Sequence, residues 1–235
     1  LIRKDTDVLI PSIDEIENLP LEDLFALASS IRTESFRNTV TYSPKVFIPL
    51  TKLCQDRCGY CTFAEPPARL ESPFMEPEEV LEVAQNGLQA GCNEALFTLG
   101  ERPELRYPYA KEWLAKRGYD STVEYLVEMS RLVLEETGLL PHSNAGALYH
   151  DELLALRDVS ASQGMMLESV DPNLNCHRNS PDKTPDRRIS TLKKAGELRI
   201  PFTTGILVGI GENRESRIES LKLIAEIQKE FGHIQ

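Results

Sequence analysis

The sequence lacks several features that would assign it to common classes of protein. None of its apolar runs approaches the ~18 residues of a membrane span, and residues 1–5 lack the apolar core of a signal peptide. Positive charge is also scarce, since 26 Lys and Arg residues stand against 37 Asp and Glu residues. The resulting formal net charge of −11 disfavours binding to nucleic acid or to an anionic membrane. We therefore expect a cytoplasmic protein. The absence of an initial Met also indicates a fragment of a longer chain.

Disulfide scaffolds and repeat architectures are equally disfavoured. The five cysteines in 235 residues do not form a disulfide framework, which indicates a reducing compartment. The chain contains no tandem repeat and no low-complexity tract. Its 41% hydrophobic and 27% charged residues are ordinary for a globular protein, and its length favours one large α/β domain.

Three of the cysteines, Cys54, Cys58 and Cys61, form a CxxxCxxC motif directly after the apolar segment 46–50. Thiolates this close together reach one inorganic centre, and thiolate is the ligand that iron–sulfur clusters and zinc select. A structural zinc site prefers four ligands in two separated pairs, and no second CxxC pair is present. The motif favours a [4Fe–4S] cluster with one open iron, while zinc and a disulfide remain alternatives.

The spacing, with the aromatic Tyr60 before the last cysteine, resembles the signature of the radical S-adenosylmethionine (SAM) superfamily. The resemblance implies that SAM chelates the open iron and that the reduced cluster cleaves SAM to a 5′-deoxyadenosyl radical. The cofactor then carries the chemistry, while the protein binds, orients and excludes water. Taken alone, Tyr60 is equally well explained by packing beside the loop.

Short apolar segments alternate with helical ones, which predicts βαβ crossovers and a parallel sheet. The predicted strands span residues 39–50, 94–99, 139–146, 164–169 and 201–208, and residues 232–235 begin a sixth. The predicted helices span residues 21–36, 77–90, 121–137, 151–157, 185–199 and 216–231, with capping boxes at Ser121 and Ser216. Together with this pattern, the superfamily resemblance implies a partial (β/α) barrel of the radical SAM type, truncated before or at the sixth strand. Residues 1–38 are expected to form a leader and a helix packed on the barrel, and residues 39–235 its core.

Functional groups in such a sheet gather where the strands end. Gly100 and Glu101 follow the second predicted strand and resemble a superfamily segment that holds the SAM amino group. The alternative is a glycine turn with a solvated glutamate. Ser143 and Asn144 end the third strand, where they either hydrogen-bond SAM or form an ordinary turn.

The fourth and fifth predicted strands end in a carboxylate and in a glycine pair. Glu168 terminates an apolar run, and a buried carboxylate seldom lacks a partner. We expect that partner to be the SAM ribose or, alternatively, Arg187 or Arg188. Gly209 and Gly211 lack a Cβ and let the backbone approach a ligand, unless they form a simple strand-to-helix turn.

Other polar and aromatic residues carry a weaker signal. The four histidines have no metal-ligand spacing, and Cys92 and Cys176 are interpreted as unliganded thiols. The insert 100–119 contains side chains that either cover a planar substrate or lie on the surface. They are Arg102, Arg106, Tyr107, Tyr109 and Trp113.

Longer segments are similar to the FO synthase family, from about residue 21 to the last residue. They are residues 41–54, 94–104, 117–122, 164–168, 180–183, 201–212 and 229–233. The resemblance implies that this chain is the cyclising subunit, or the N-terminal domain of the fused enzyme, that makes the deazaflavin FO (7,8-didemethyl-8-hydroxy-5-deazariboflavin). It also implies that Cys54, Cys58 and Cys61 hold the cluster, and that SAM is surrounded by Tyr60, Gly100, Glu101, Glu168, Gly209 and Gly211.

The same resemblance implies a carbon–nitrogen lyase. The radical abstracts hydrogen from 5-amino-5-(4-hydroxybenzyl)-6-(D-ribitylimino)-5,6-dihydrouracil, and cyclisation releases ammonia, so no catalytic side chain is expected beyond the cluster and SAM. Expected partners are a sister radical SAM subunit or fused domain and an electron donor such as ferredoxin or flavodoxin. Two alternatives stay open. One is a sister enzyme, either the hydroxybenzyl transferase or an aminofutalosine-pathway cyclase, and the other is a non-catalytic iron–sulfur or metal-binding protein.

Overall fold

A five-stranded parallel sheet forms the centre of residues 43–235. The structure is a computed structural model that describes residues 18–235. Neighbouring strands pair in parallel and in chain order. They are β1 (Lys45–Thr51), β2 (Glu94–Leu99), β3 (Leu140–Asn144), β4 (Ser162–Gly164) and β5 (Phe202–Thr203). The predicted α/β architecture with parallel strands is therefore confirmed.

The predicted helices form, and most of their ends lie close to the predicted positions. The helices are α1 (Leu21–Phe36), α2 (Pro77–Gln89), α3 (Pro108–Lys116), α4 (Thr122–Thr137), α5 (His150–Arg157), α6 (Pro185–Glu197) and α7 (Arg214–Phe231). Ser121 caps α4, because its side chain accepts the Glu124 N–H at 3.1 Å. The other half of the predicted capping box is not formed, since the Glu124 carboxylate accepts the Asp120 N–H at 2.7 Å. The cap predicted at Ser216 is wrong. The helix α7 begins earlier, and the Asn213 carboxamide accepts the Ser216 N–H at 2.7 Å.

The fourth and fifth strands are shorter than the sequence predicts. The strand β4 ends at Gly164 instead of reaching residue 169, and β5 covers only two residues. Glu168 has a left-handed backbone with φ of 66°, a conformation that interrupts regular strand pairing. Pairing returns only as an isolated bridge between Glu168 and Ile206. This interruption leaves the Glu168 side chain at the carboxyl edge of the sheet.

The beginning of a sixth strand is present at the end of the chain. Ile234 forms a parallel bridge with Phe202. Phe202 N–H donates to His233 O, and Gln235 N–H donates to Phe202 O, both at 2.9 Å. Within residues 18–235 the sheet does not close on itself, so the described part of the chain is a partial barrel.

The hydrophobic core lies between the sheet and the helices that cover it. The insert 100–119, for which no helix was predicted, contributes α3 to this core. Trp113 on α3 packs against Phe74 and Tyr125, with ring centroids 4.9 and 5.1 Å apart. The Tyr125 hydroxyl donates to Met75 O at 2.7 Å. The insert is therefore a structural element beside the carboxyl edge of the sheet.

Residues 18–42 belong to a separate unit that contains α1. Residues 1–17, and with them most of the leader predicted for residues 1–38, lie outside the described residues. The packing of this helix on the barrel stays a prediction. In the part of the chain that the structure describes, no helix combines the length and the apolar character needed to cross a membrane.

Candidate functional site

The three cysteines of the CxxxCxxC motif lie in the loop that leaves the carboxyl end of β1. Cys54, Cys58 and Cys61 line one cavity of about 260 Å³. Cys54 and Cys58 are half-buried, whereas Cys61 is exposed. Among residues 18–235, no three histidine, cysteine, aspartate or glutamate side chains are grouped closely enough to hold a metal ion. The loop presents its three thiols to one shared cavity.

Two of the three sulfur atoms have hydrogen-bonding groups beside them. The Glu101 N–H donates to Cys54 Sγ at 3.2 Å, and the Ser180 hydroxyl lies 3.6 Å from Cys58 Sγ. Hydrogen bonds of this kind stabilise metal-bound thiolates and tune iron–sulfur clusters. The donors and the shared cavity therefore fit a cluster bound through these cysteines.

Gly100 lets the cysteine loop pack directly on the end of β2. A Cβ at this position would lie 1.9 Å from Leu53 O and 2.8 Å from Cys54 Cβ. The Gln55 N–H also donates to Glu101 O at 2.8 Å. Because only glycine permits this approach, the residue after β2 sets the position of the first cysteine.

A segment remote in sequence, residues 175–183, holds the other side of the cysteine loop. Gly59 N–H donates to Cys176 O at 2.8 Å, so Cys176 lies beside the motif. Its interpretation as an unliganded thiol stays a prediction. The Tyr60 hydroxyl lies 3.0 Å from His177 Nε2. Burial, together with the Glu168 charge, raises the pKa of Tyr60, so the phenol stays protonated. Sequence spacing gave no signal for these contacts.

Two of the motif thiols, those of Cys54 and Cys58, are hard to ionise in the metal-free protein. Burial raises the pKa of Cys54 to about 12. Burial also raises the pKa of Cys58, an effect that Lys183 and Ser180 partly offset. Thiolate ligation displaces these protons. Binding of a cluster at Cys54 and Cys58 would therefore release protons and depend on pH.

Glu101 is buried rather than solvated, which makes the alternative of a solvated glutamate wrong. The residue is 6% exposed. Its Oε1 accepts the Ala147 N–H at 2.5 Å and lies 3.4 Å from Arg188 Nη1. Burial opposes its ionisation, but Arg188 and Lys183 outweigh that penalty and hold the pKa of Glu101 below its usual range. The ionised carboxylate thus lies buried directly behind the cysteine loop.

Asp56, inside the motif, is a buried carboxyl group that the sequence interpretation missed. Its Oδ1 accepts the Asp182 N–H at 3.3 Å, while its buried Oδ2 has no hydrogen-bond partner. Burial and the neighbouring Glu101 raise the pKa of Asp56 to about 7. The sequence could have indicated this burial, because Asp56 lies between the first two cysteines and a side chain in such a short loop has little access to water.

Glu168 lies among cations at the end of the fourth strand region. Its Oε1 lies 2.9 Å from Lys183 Nζ and 3.9 Å from Arg188 Nη2. Of the two arginines expected as partners, Arg188 is the one beside it, whereas Arg187 pairs with Asp182 at 3.4 Å. Lys183 was not predicted as a partner, although it ends the segment 180–183, which is similar to the FO synthase family. Arg188 therefore joins the carboxylates that follow β2 and β4.

The remaining strand-end candidates differ in their surroundings. Ser143 is fully buried and its hydroxyl has no hydrogen-bond partner, whereas Asn144 is half-buried opposite Thr98 on β2. Gly209 and Gly211 have φ of 91° and 108° in an exposed turn after β5. The hydrogen bonds of the described residues do not connect this turn with the cysteine loop. An orphaned buried hydroxyl makes Ser143 a candidate ligand contact.

Of the five insert residues, Arg102, Arg106, Tyr107 and Trp113 contact the loop or the core, whereas Tyr109 is exposed. Arg106 donates to the carbonyls of Cys54 and Gln55 at 3.3 Å, and Tyr107 lines the cysteine cavity. Arg102 is buried and pairs with Glu152 at 2.6 Å. In the same insert, the Tyr109 hydroxyl donates to Glu71 O at 3.0 Å, and Trp113 packs in the core.

Comparison with known proteins identifies relatives of this chain. The Radical SAM superfamily model matches residues 48–224. FO synthase of Nocardia farcinica is 50% identical over 229 residues, which cover 92% of this chain and 26% of that protein. The 7,8-didemethyl-8-hydroxy-5-deazariboflavin synthase of Methanopyrus kandleri is 50% identical over 200 residues, 83% of this chain and 60% of that protein. The chain thus spans less than two thirds of either relative.

Solved structures with a similar fold share less sequence. Methylornithine synthase is 24% identical with a TM-score of 0.66 over 93% of this chain and 58% of that chain. The FeFe-hydrogenase maturase HydG of Carboxydothermus hydrogenoformans is 21% identical with a TM-score of 0.70, covering 90% of this chain and 46% of that one. These likenesses concern the fold alone.

Proposed function

Because this chain belongs to the radical SAM superfamily, we propose that it is the part of an FO synthase that forms the deazaflavin ring. The substrate is 5-amino-5-(4-hydroxybenzyl)-6-(D-ribitylimino)-5,6-dihydrouracil, and the reaction is a carbon–nitrogen lyase reaction that releases ammonia. The identity of about 50% to FO synthases from a bacterium and an archaeon supports this assignment.

The observation that carries the proposal is the convergence of the CxxxCxxC loop with the end of β2. Cys54, Cys58 and Cys61 face one cavity, and Glu101 donates its N–H to the first of them. We assign the three cysteines as ligands of a [4Fe–4S] cluster. When bound, the cluster supplies the electron that cleaves SAM and starts hydrogen abstraction.

The chain's own residues bind and orient SAM in this proposal. The ionised carboxylate of Glu101 and the hydroxyl of Ser143 are suited to the amino group, and Glu168 accepts hydrogen bonds from the ribose. Gly100 lets the cysteine loop pack close to the SAM site. Tyr60 covers the SAM site from the side of the cysteine motif. Three further contacts complete the assigned SAM surroundings: Asn144, Gly209 and Gly211.

Electrostatics support the placement of an amino-acid moiety beside the cysteine loop. Lys183 lies within reach of Cys58, whose pKa it lowers against the effect of burial. The ammonium of Lys183 is also 2.9 Å from Glu168. Two cations, Lys183 and Arg188, and two carboxylates, Glu101 and Glu168, lie in one buried region. Both signs of charge are therefore present to pair with the ammonium and the carboxylate of a zwitterion.

Two partners complete the proposed activity. A sister radical SAM subunit or fused domain supplies the hydroxybenzyl adduct, and an electron donor such as ferredoxin or flavodoxin reduces the cluster. We place the reaction in the cytoplasm, where thiolate ligands and a reduced cluster persist.

The test is anaerobic reconstitution with iron and sulfide, followed by electron paramagnetic resonance of the reduced protein with and without SAM. We expect a [4Fe–4S] signal that changes when SAM is added. The preformed adduct, with SAM and reductant, then yields a fluorescent deazaflavin and 5′-deoxyadenosine. An unchanged signal contradicts an open iron, and SAM cleavage without deazaflavin assigns the chain to a different radical SAM reaction.

A further inference from the structure

Ser180 is placed between two groups of the cysteine loop. Its side-chain oxygen lies 2.9 Å from Arg57 N and 3.6 Å from Cys58 Sγ. The residue is 5% exposed, so water does not readily replace either contact. Both partners lie more than 120 positions away in sequence, and neither cysteine spacing nor strand-end position singles out this serine.

The two contacts together define the direction of the hydrogen bond to sulfur. A serine hydroxyl has one proton to donate and two lone pairs to accept with. The Arg57 N–H is a donor only, so it occupies a lone pair of Ser180 Oγ. The Ser180 proton is then directed to Cys58 Sγ, because a metal-bound thiolate carries no proton and acts only as an acceptor.

The backbone holds the Ser180 hydroxyl in this position. Ser180 N–H donates to His177 O at 3.0 Å, and Lys183 N–H donates to Ser180 O at 3.1 Å. The Gly59–Cys176 backbone hydrogen bond fastens the same segment to the other side of the motif. These bonds fix the backbone of Ser180, and the Arg57 N–H holds its side-chain oxygen beside the sulfur.

We propose that Ser180 donates a hydrogen bond to the Cys58 thiolate and raises the reduction potential of the cluster bound there. The inference rests on the proposed cluster at Cys54, Cys58 and Cys61. Reduction adds negative charge to a cluster, and a donor to a ligand sulfur stabilises that added charge. Ser180 is thus a positioning and tuning residue, since it acts through Cys58 and not on the substrate.

The test is a potentiometric titration of the reconstituted protein, followed by electron paramagnetic resonance, for wild type, Ser180→Ala and Ser180→Thr. Iron and sulfide analysis first establishes that each sample holds a cluster. Failure of the wild type to form one overturns the proposed function itself. We expect Ser180→Ala to have a more negative midpoint potential, and Ser180→Thr, which keeps a hydroxyl, to stay near wild type. Ser130→Ala is the matched control, because Ser130 is buried on α4 with a hydroxyl that has no partner.

Equal potentials for wild type and Ser180→Ala overturn the inference, as does an equal shift in Ser130→Ala. If Ser180→Ala assembles too little cluster to titrate, hydrogen exchange of the Arg57 amide in the cluster-free protein decides instead. Loss of the serine oxygen removes the acceptor of that amide, so exchange becomes faster in Ser180→Ala and not in Ser180→Thr. Unchanged exchange contradicts the geometry on which the donor assignment depends.

Discussion

Arg188 Nη1 lies 3.4 Å from Glu101 Oε1, and the two residues are 2% and 6% exposed. The guanidinium also donates to Met166 O at 2.6 Å and to Asp182 O at 3.2 Å, and it reaches within 3.9 Å of Glu168. One buried cation on α6 therefore neutralises carboxylates that follow two different strands. The candidate SAM site depends on a helix that contributes no residue to the cysteine loop.

Replacing Arg188 with Gln leaves the buried carboxylate of Glu101 without this ionic partner. Breaking one half of a buried ion pair costs about 3–5 kcal/mol of unfolding free energy, and we expect a loss of that size in urea unfolding at neutral pH. Arg131→Gln is the control, since Arg131 and Glu128 form an exposed pair on α4 and its loss costs below ~0.5 kcal/mol. Similar losses in both variants would contradict a structural role for Arg188.

The sequence predicted the order of elements because its signals are local. Apolar periodicity located the strand Glu94–Leu99 and the helix Leu21–Phe36 at the bounds the structure gives. The ends of β4 and β5 were not predictable in this way. Beyond the Gly164–Thr203 pair, Leu167 N–H donates to the Thr204 side chain and Glu168 has a left-handed φ, and neither feature follows from residue type.

The cysteine motif was recognisable from sequence for the same reason, whereas its supports were not. Spacing alone brings Cys54, Cys58 and Cys61 into one loop. Ser180 and Arg188 become part of the site only when α6 and the loop before it fold back across the sheet. Such long-range contacts leave no periodic trace in a single sequence. Ser180 and the pairing of Arg188 with Glu101 were therefore missed, although Arg188 was named as an alternative partner of Glu168.

Cys58→Ala is expected to abolish cluster binding and SAM cleavage. Two remaining thiolates hold iron–sulfur clusters poorly, and the loss removes the ligand beside Ser180. Iron content, visible absorption and 5′-deoxyadenosine formation measure the effect. Cys92→Ala provides the matched control, because Cys92 packs against the core just before β2 and should retain both cluster and cleavage. Persistent 5′-deoxyadenosine formation in Cys58→Ala would refute the ligand assignment.

Gly100→Ala should displace the cysteine loop from the end of β2. The added Cβ would meet the backbone of Leu53 at 1.9 Å, a contact that only a backbone shift relieves. We expect reduced cluster content and a lower melting temperature. In the control, Gly91→Ala, nothing lies within 4 Å, so only its positive φ costs stability, roughly 1–2 kcal/mol. Full cluster content in Gly100→Ala would show that the close approach is dispensable.

We expect the buried His142 to make the protein less stable on mild acidification. Burial and the nearby Lys45 charge lower the pKa of His142 below its ordinary 6.5. Below pH 6.5 the His142 imidazole is protonated in the unfolded chain but stays neutral in the folded protein. The free energy of unfolding therefore falls as the pH drops through that value. Urea unfolding between pH 5 and 8 should show a shallower decline for His142→Gln. His150→Gln, at an exposed position, should keep the wild-type slope, and identical slopes in all three proteins would exclude His142 as the cause.

Glu168→Gln tests whether the carboxylate after β4 contacts SAM. Glutamine keeps the size and the acceptor oxygen of the side chain but removes its charge, and a charged hydrogen bond contributes about 1.5–3 kcal/mol. We expect SAM affinity, measured by calorimetry on the reconstituted protein, to fall by roughly 10–100-fold, with cluster content unchanged because Glu168 is not a ligand. Glu94→Gln is the matched control, since Glu94 opens β2 at the opposite end of the sheet and pairs with Lys45. Should both variants bind SAM as tightly as wild type, Glu168 serves only Lys183 and Arg188, and the ribose contact must be assigned to another strand end.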